Sequence, residues 1–377
     1  MRRLYELDLL RILAAVFVVI FHYTFTGWMQ GHTSLAFPTF GEVARYGYLG
    51  VDLFFMISGF VVLLSAWGRR PSKFVISRIV RLYPAFWFAV TLTALVSVLS
   101  GAFPVSLWQY LANLTMVHPA LNVADIDVVY WTLWAEIRFY VVVFVLACIG
   151  LTRRRVLNTL WGWLVLTGLL QVGLLPSVAE VLLQTTFAHY FIAGMALGLV
   201  HRFGMTWELA VILVLSYANA LYRGIGFAGD VADRYEVPFH PWVIVVVIWL
   251  IYLVMLLVAL GVTTPVGRPW FSVAGSLTYP LYLVHGNVGF VILAWFGELF
   301  APSLVLRWVL VLGLVGAMAV FAYGIHRLIE RPVASRLKRV LEAAARVLPG
   351  SGKAPGPPPG PANDQRVERD PVPAAGR

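Results

Sequence analysis

The sequence predicts an all-α fold, a polytopic membrane helix bundle of about ten transmembrane helices with both termini in the cytoplasm. Three observations predict it. Of 377 residues, 60% are hydrophobic and only 12% charged, about half the charge of an ordinary soluble domain. Apolar runs of spanning length, about 20 residues each, recur from one end of the chain to the other. The basic residues alternate between loops: with both termini inside, the inner segments hold 22 of the 28 Lys and Arg, and the outer segments hold Arg45, Arg223, Arg234 and Arg307. Cytoplasmic loops carry that excess in membrane proteins. The net charge of +10 is therefore topological, and no nucleic-acid partner is inferred from it.

The expected spans are 7–28, 46–66, 82–101, 130–150, 156–175, 182–201, 206–222, 240–262, 270–296 and 303–326. The first is of full spanning length with no small-residue cleavage site behind it, so it reads as a helix of the mature chain. The second carries GVDLFFMISGF, the fourth YWTLWAEIRFY and the ninth SLTYPLYLVHG. Pro280 removes a backbone donor and is expected to kink the ninth span. Between spans two and three lies the basic stretch GRRPSKFVISRIVR, and between seven and eight the outer loop 223–238. Residues 1–340 form the predicted transmembrane domain. Residues 341–377, rich in Pro and Gly and without aromatics, are expected to be a disordered cytoplasmic tail.

Ionisable groups inside spans are costly and normally face a bundle interior or a cavity. Arg11 and His22 lie eleven residues apart in the first span, which is a rise of ~16 Å and a turn of ~1100°, three turns plus ~20°. They share a face. A snorkelling arginine and a hydrogen-bonded packing histidine are the plainer readings of each alone; the shared face counts against both. Asp52 lies near the outer end of the second span and Glu136 in the outer half of the fourth. Arg138 stands ~200° round the helix from Glu136, so those two do not pair, and Arg138 instead shares a face with Trp134 for a cation–π contact. Glu136 needs a partner on another helix, and a histidine is the economical one, since a carboxylate raises imidazole basicity and fixes its tautomer.

In the ninth span, Ser276, Tyr279, Tyr282 and His285 are candidates whose facing the expected kink leaves open. Arg78 and Arg81 are three apart and share a face if helical; with Arg11 nearby they suit a phosphate-bearing ligand from the cytosol. The chain has no GxxxxGK[ST], no dinucleotide glycine fingerprint and no GxSxG elbow. Its histidines lack metal-ligand spacing, and Cys148 is its one cysteine, so no metal centre is expected.

In order along the chain, these residues resemble the membrane-bound acyltransferase 3 family. Arg11 and His22 match its R-x10-H signature, and Gly50 to Phe55 with Ser58-Gly59-Phe60 match GVDLFF-x-x-SGF. Arg78 to Pro84 match its basic loop. Trp131, Leu133, Glu136, Phe139 and Tyr140 match W-S-L-x-x-E-x-x-FY, with Thr132 in place of serine. Ser276, Tyr279, Tyr282, Leu283 and His285 match the late S-x-x-Y-x-x-YL-x-H element, and Glu330-Arg331-Pro332 the terminal ERP. The resemblance implies a bacterial, multi-pass O-acyltransferase of the cytoplasmic membrane, in a stand-alone form without a fused hydrolase domain. Its co-substrate would be cytosolic acyl-CoA, often acetyl-CoA, with no tightly bound cofactor, and its acceptor a hydroxyl of an envelope glycan, glycolipid or glycosylated metabolite.

On that footing His22 is the expected base and Glu136 its orienting carboxylate. Arg11, Arg78 and Arg81 would hold the donor, whose length fits the ~16 Å rise from Arg11 to His22. Asp52, Ser276, Tyr279 and His285 are left as acceptor-side or structural groups. A proton-coupled transporter would also place ionisable groups inside the membrane; the absence of a detectable repeat and the order of the six motifs weigh against it.

Overall fold

The structure is a computed structural model that describes residues 3–347. Its principal helices are α1 (Tyr5–Phe21), α2 (Gly50–Ala66), α3 (Pro71–Ser100), α4 (Trp131–Ile149), α5 (Arg153–Gln171) and α6 (Ala188–Phe203). They continue as α7 (Trp207–Tyr235), α8 (Pro241–Ala259), α9 (Phe271–Val284), α10 (Asn287–Phe300), α11 (Leu304–Ile325) and α12 (Arg331–Val347). Among the described residues there is no strand, and the fold is an all-α membrane bundle. Eight helical segments are long and apolar enough to cross a membrane, and the bent pair α9–α10 brings the number to nine. The remaining expected span, 156–175, is α5; the run Arg153 to Arg155 at its start and its polar residues leave it short of that apolarity. Of the expected tail, residues 348–377 lie outside the described residues. Over 341–347 the chain continues α12 rather than leaving the helix.

Three local features position the interior. The first span does not run as one α-helix: α1 passes at His22 into a π-turn, His22–Thr26, a feature frequent at functional sites. The Thr24 and Thr26 hydroxyls donate to the carbonyls of Ile20 (2.7 Å) and His22 (3.3 Å), giving partners to backbone oxygens that the wider turn loosens. The basic stretch between spans two and three is helical. Pro71 opens α3, as proline favours the first helical position, and the helix continues through Pro84 to a left-handed Gly101. Arg78 and Arg81 therefore share a face.

The ninth span bends, though not at Pro280. That residue sits inside α9, and the chain breaks by 71° between α9 and α10. Gly286 is the reason. A Cβ there would stand 2.1 Å from an Asp127 oxygen, so the break needs a residue without a side chain. The outer loop expected at 223–238 is also mostly helix, since α7 runs to Tyr235.

Packing draws the polar elements together. α1 lies against α9 and α2, α9 against α3 and α11, and α12 against α3. α2 and α6 touch through backbone: a Cβ on Gly194 would stand 2.1 Å from the Met56 carbonyl oxygen, and one on Gly59 2.5 Å from that of Phe191. Small residues that let backbones approach closely are the usual means of helix association in lipid. The Phe139 and Phe191 rings stack beside this contact at 4.4 Å.

Candidate active site

Residues of α1, α2, α3, α4 and α9 enclose a cavity with about 870 Å³ of empty space, part of it open to solvent. Arg11, Arg78 and Arg81 stand at one end and Thr132 and Tyr282 line it too, with apolar walls that include Phe54, Val61 and Leu133. The arginine end is the open one. The Arg11 and Arg81 side chains are 28% and 40% exposed, against 6% and 8% for Thr132 and Tyr282. Each arginine is held. Arg81 pairs with Glu330 at 2.6 Å, which also accepts from His326 Nδ1 at 2.8 Å. The Arg78 guanidinium lies over the Phe74 and Tyr140 rings, and that of Arg81 over Tyr279. Arg11 approaches Asp8 at 3.8 Å.

Next to Tyr282, on the side away from the arginines along α1 and α9, two buried histidines meet. His22 Nδ1 and His285 Nε2 are 2.9 Å apart, and His285 Nδ1 is 2.8 Å from the Tyr282 carbonyl. These contacts assign the tautomers. A carbonyl only accepts, so His285 Nδ1 carries hydrogen; in the neutral ring its Nε2 is then a bare acceptor. His22 must donate to it from Nδ1, which leaves the lone pair of His22 on Nε2. A neutral imidazole held with one nitrogen donating and the other bare is the arrangement of a general base with an orienting partner.

The break in the ninth span supports the pair. Asp127 crosses it, accepting from the Asn287 N–H at 2.9 Å and from Val129 N–H at 3.2 Å, while the Asn287 amide donates to the Ile126 carbonyl. The carboxylate thus caps the start of α10, where four N–H groups lack helical partners. Burial pushes the Asp127 carboxyl up to about 7, against the opposing pull of the Asn287 and Val129 N–H groups. Tyr23 donates to the freed His285 carbonyl at 2.9 Å.

Several sequence-level assignments change. Glu136 does not touch His22: its Oε1 accepts from Ser58 at 2.9 Å and from Tyr140 one helical turn away. α4 meets α2 and α3, so Glu136 reaches the cavity wall beside the arginines, and His285 takes the place at His22 that a carboxylate was expected to fill. Asp52 is buried and accepts from Tyr190 on α6 at 2.8 Å, which braces α2 against α6. Ser276 donates to the Val273 carbonyl of its own helix and does not line the cavity, whereas Tyr279 does, donating to the Leu82 carbonyl at 3.1 Å. Arg138 lies 5.3 Å from the Trp134 ring centroid, as its spacing indicated.

Asp127 and Tyr23 carried no sequence signal, because their partners lie 160 and 262 residues away. Among the described residues no group of three His, Cys, Asp or Glu stands ready to hold a metal ion.

Fold and site together define a multi-pass membrane protein with a buried histidine pair beside an arginine-mouthed cavity. The family model described as "Acyltransferase domain", of the acyltransferase 3 type, matches residues 4–327, and the chain belongs to that family. It is 28% identical over 175 residues to BcsY of Komagataeibacter xylinus, named as a membrane-bound transacylase; the match covers 40% of this chain and 39% of that one. It is 26% identical over 158 residues to the peptidoglycan O-acetyltransferase OatA of Listeria monocytogenes, covering 36% of this chain and 23% of that one. The matched stretches thus span well under half the length of these relatives. No solved structure matches the chain.

Proposed function

We propose that the protein is an O-acyltransferase of the cytoplasmic membrane, taking an acyl group, acetyl in the first instance, from cytosolic acyl-CoA to a hydroxyl of a carbohydrate-containing or lipid-linked acceptor. One observation carries this reading. A single cavity has three arginines at its open end and, at its buried end, the tyrosine whose carbonyl orients the histidine pair. A CoA thioester is long, anionic at one end and reactive at the other. Its phosphates fit the arginine mouth as charge-assisted contacts, and its pantetheine arm fits the apolar walls.

In the mechanism, the acceptor hydroxyl gives its proton to His22 Nε2 as its oxygen attacks the thioester carbon. The resulting imidazolium keeps its Nδ1–H on His285, which stabilises the charge where it forms. Collapse of the tetrahedral intermediate breaks the C–S bond, and the thiolate leaves with the proton held by His22. Glu136, among the arginines, acts as counter-charge at the donor site. The relative named as a peptidoglycan O-acetyltransferase favours a glycan as acceptor class.

The test is turnover of acyl-CoA by membranes containing the protein, read as free CoA thiol released in the presence of glycan acceptors. His22→Ala should lower it roughly 10²–10⁴-fold at normal protein level, the contribution of a positioned general base, because the neighbouring lone pair on His285 Nε2 lies 2.9 Å behind His22 Nδ1 and not at the place of Nε2. Wild-type turnover by well-folded His22→Ala would overturn the reading. The donor side is tested separately: Asp233→Cys should label with an impermeant reagent from outside the cell, and labelling only from the cytoplasm would reverse the orientation.

A further inference from the structure

We infer that the Tyr282 hydroxyl is a catalytic group, the hydrogen-bond donor that receives the thioester carbonyl oxygen as it becomes an oxyanion. The inference rests on the acyl-CoA reading above and deepens it, because nothing in that reading says what stabilises the oxyanion.

Ser58 and Tyr140 both donate to the Glu136 carboxylate. Tyr279 donates to the Leu82 carbonyl, and Thr278 turns back to the Ala274 carbonyl of its own helix. Thr132 donates to the Val129 carbonyl at 2.8 Å. That last bond decides the direction of another. Thr132 Oγ1 and Tyr282 OH are 3.0 Å apart, and a hydroxyl has one proton, so Tyr282 is the donor. Every other hydroxyl in this set is committed to a carboxylate or a carbonyl. Tyr282 alone gives its proton to a second hydroxyl, a weaker acceptor than the oxyanion of a tetrahedral intermediate. Its proton is therefore the one free to turn to an incoming carbonyl oxygen, and a phenol donates better than an aliphatic alcohol.

Position supports chemistry. Tyr282 lines the cavity, and Phe54 meets its ring edge-on at 5.7 Å, so the donor is held before substrate arrives. Its ring centroid is 5.5 Å from that of His285, whose Nδ1–H its own carbonyl accepts. One residue thus faces the donor with its side chain and, through His285, orients the base with its backbone. A fixed donor aimed at developing charge in a water-poor site is among the largest single contributions to acyl transfer.

In the step, the acceptor oxygen bonds to the thioester carbon, the carbonyl π pair moves onto oxygen, and that oxygen accepts from Tyr282 O–H. The acceptor's proton rests on His22. The pair returns as the C–S bond breaks, and the thiolate leaves with the proton from His22. Tyr282 keeps its own proton throughout.

The test uses the purified full chain in detergent with an acetyl-CoA analogue in which methylene replaces sulfur, leaving an unreactive ketone with a 13C-labelled carbonyl. The infrared stretch of the bound ketone should fall in the wild type relative to the free analogue. In Tyr282→Phe the shift should be lost, while the analogue's Kd stays within about threefold. With acetyl-CoA and acceptor, kcat of that variant should drop roughly 10²–10³-fold at nearly constant KM for the donor. In Thr132→Val the resting partner is gone, and the stretch should fall at least as far as in the wild type. An unshifted ketone bound to the wild type overturns the assignment of Tyr282 alone, as does folded Tyr282→Phe with nearly full kcat. An analogue that does not bind the wild type overturns the donor reading and this inference with it. If Tyr282→Phe fails to fold, the wild type and Thr132→Val spectra decide.

Discussion

His285→Phe is the sharpest perturbation of the histidine pair. Phenylalanine keeps a planar ring in the site, somewhat larger than imidazole, so the buried site is not left hollow, but both ring nitrogens are lost. His22 Nδ1–H then has no acceptor at the place where it found one 2.9 Å away. The ground state loses a neutral hydrogen bond, and the transition state loses a bond to the forming imidazolium. Hydrogen bonds to charged groups contribute about 1.5–3 kcal/mol, and each ~1.4 kcal/mol of barrier is tenfold in rate. The neutral bond lost from the ground state contributes about 0.5–1.5 kcal/mol, so the barrier rises by the difference, about 1–1.5 kcal/mol, and the expected fall in kcat is about 5- to 15-fold. The donor KM should change little, since the arginine mouth lies at the far end of the cavity. The assay is steady-state release of CoA thiol from detergent-purified protein over a range of acyl-CoA concentrations, with folded protein quantified by size-exclusion chromatography. An unchanged kcat in folded His285→Phe would refute the reasoning, and so would a rise in donor KM with kcat intact, which would move His285 into donor binding.

The remaining predictions concern the mouth, the packing and the break. Arg78→Ala and Arg81→Ala should each raise the donor KM roughly 10- to 100-fold, the loss of one or two charge-assisted contacts, with kcat at saturation largely kept; titration of the donor checks this. Gly194→Ala forces a Cβ to within 2.1 Å of the Met56 carbonyl oxygen. Overpacking of that kind costs about 1–3 kcal/mol, which should appear as a lowered Tm and reduced folded yield. Asp127 carries a carboxyl pushed up to about 7 from 3.8, so the fold holds its proton more tightly than the unfolded chain does. The stability this contributes is complete below about pH 4 and is lost as pH rises through 7. Asp127→Asn should accordingly flatten the decline of Tm between pH 5 and pH 8, and an equal decline in both proteins would show that Asp127 does not set it.

The sequence by itself determined the class and much of the inventory. Apolar runs and alternating basic loops require a helical membrane bundle, because a backbone in lipid must satisfy its own hydrogen bonds. Helical phase placed Arg11 and His22 on one face and Arg78 and Arg81 on another, and phase is a local property that no tertiary contact alters until the helix breaks. What only the tertiary structure decided is which groups meet. Glu136 was read as the partner of His22 because both are polar at similar depth, yet depth does not say which helices adjoin. α1 packs on α9, so His22 meets His285 instead.

The expected kink at Pro280 erred for a related reason. Proline weakens a helix through its own missing donor, but the break came at Gly286, where Asp127, 159 positions earlier in the chain, crosses and leaves no room for a Cβ. Tyr282 was visible as a motif residue, while the direction of its proton depends on a threonine of another helix and on that threonine's own carbonyl partner. Periodicity fixes which side of a helix a group faces. Packing fixes what it faces, because hydrogen-bond roles are settled only when both partners are in place.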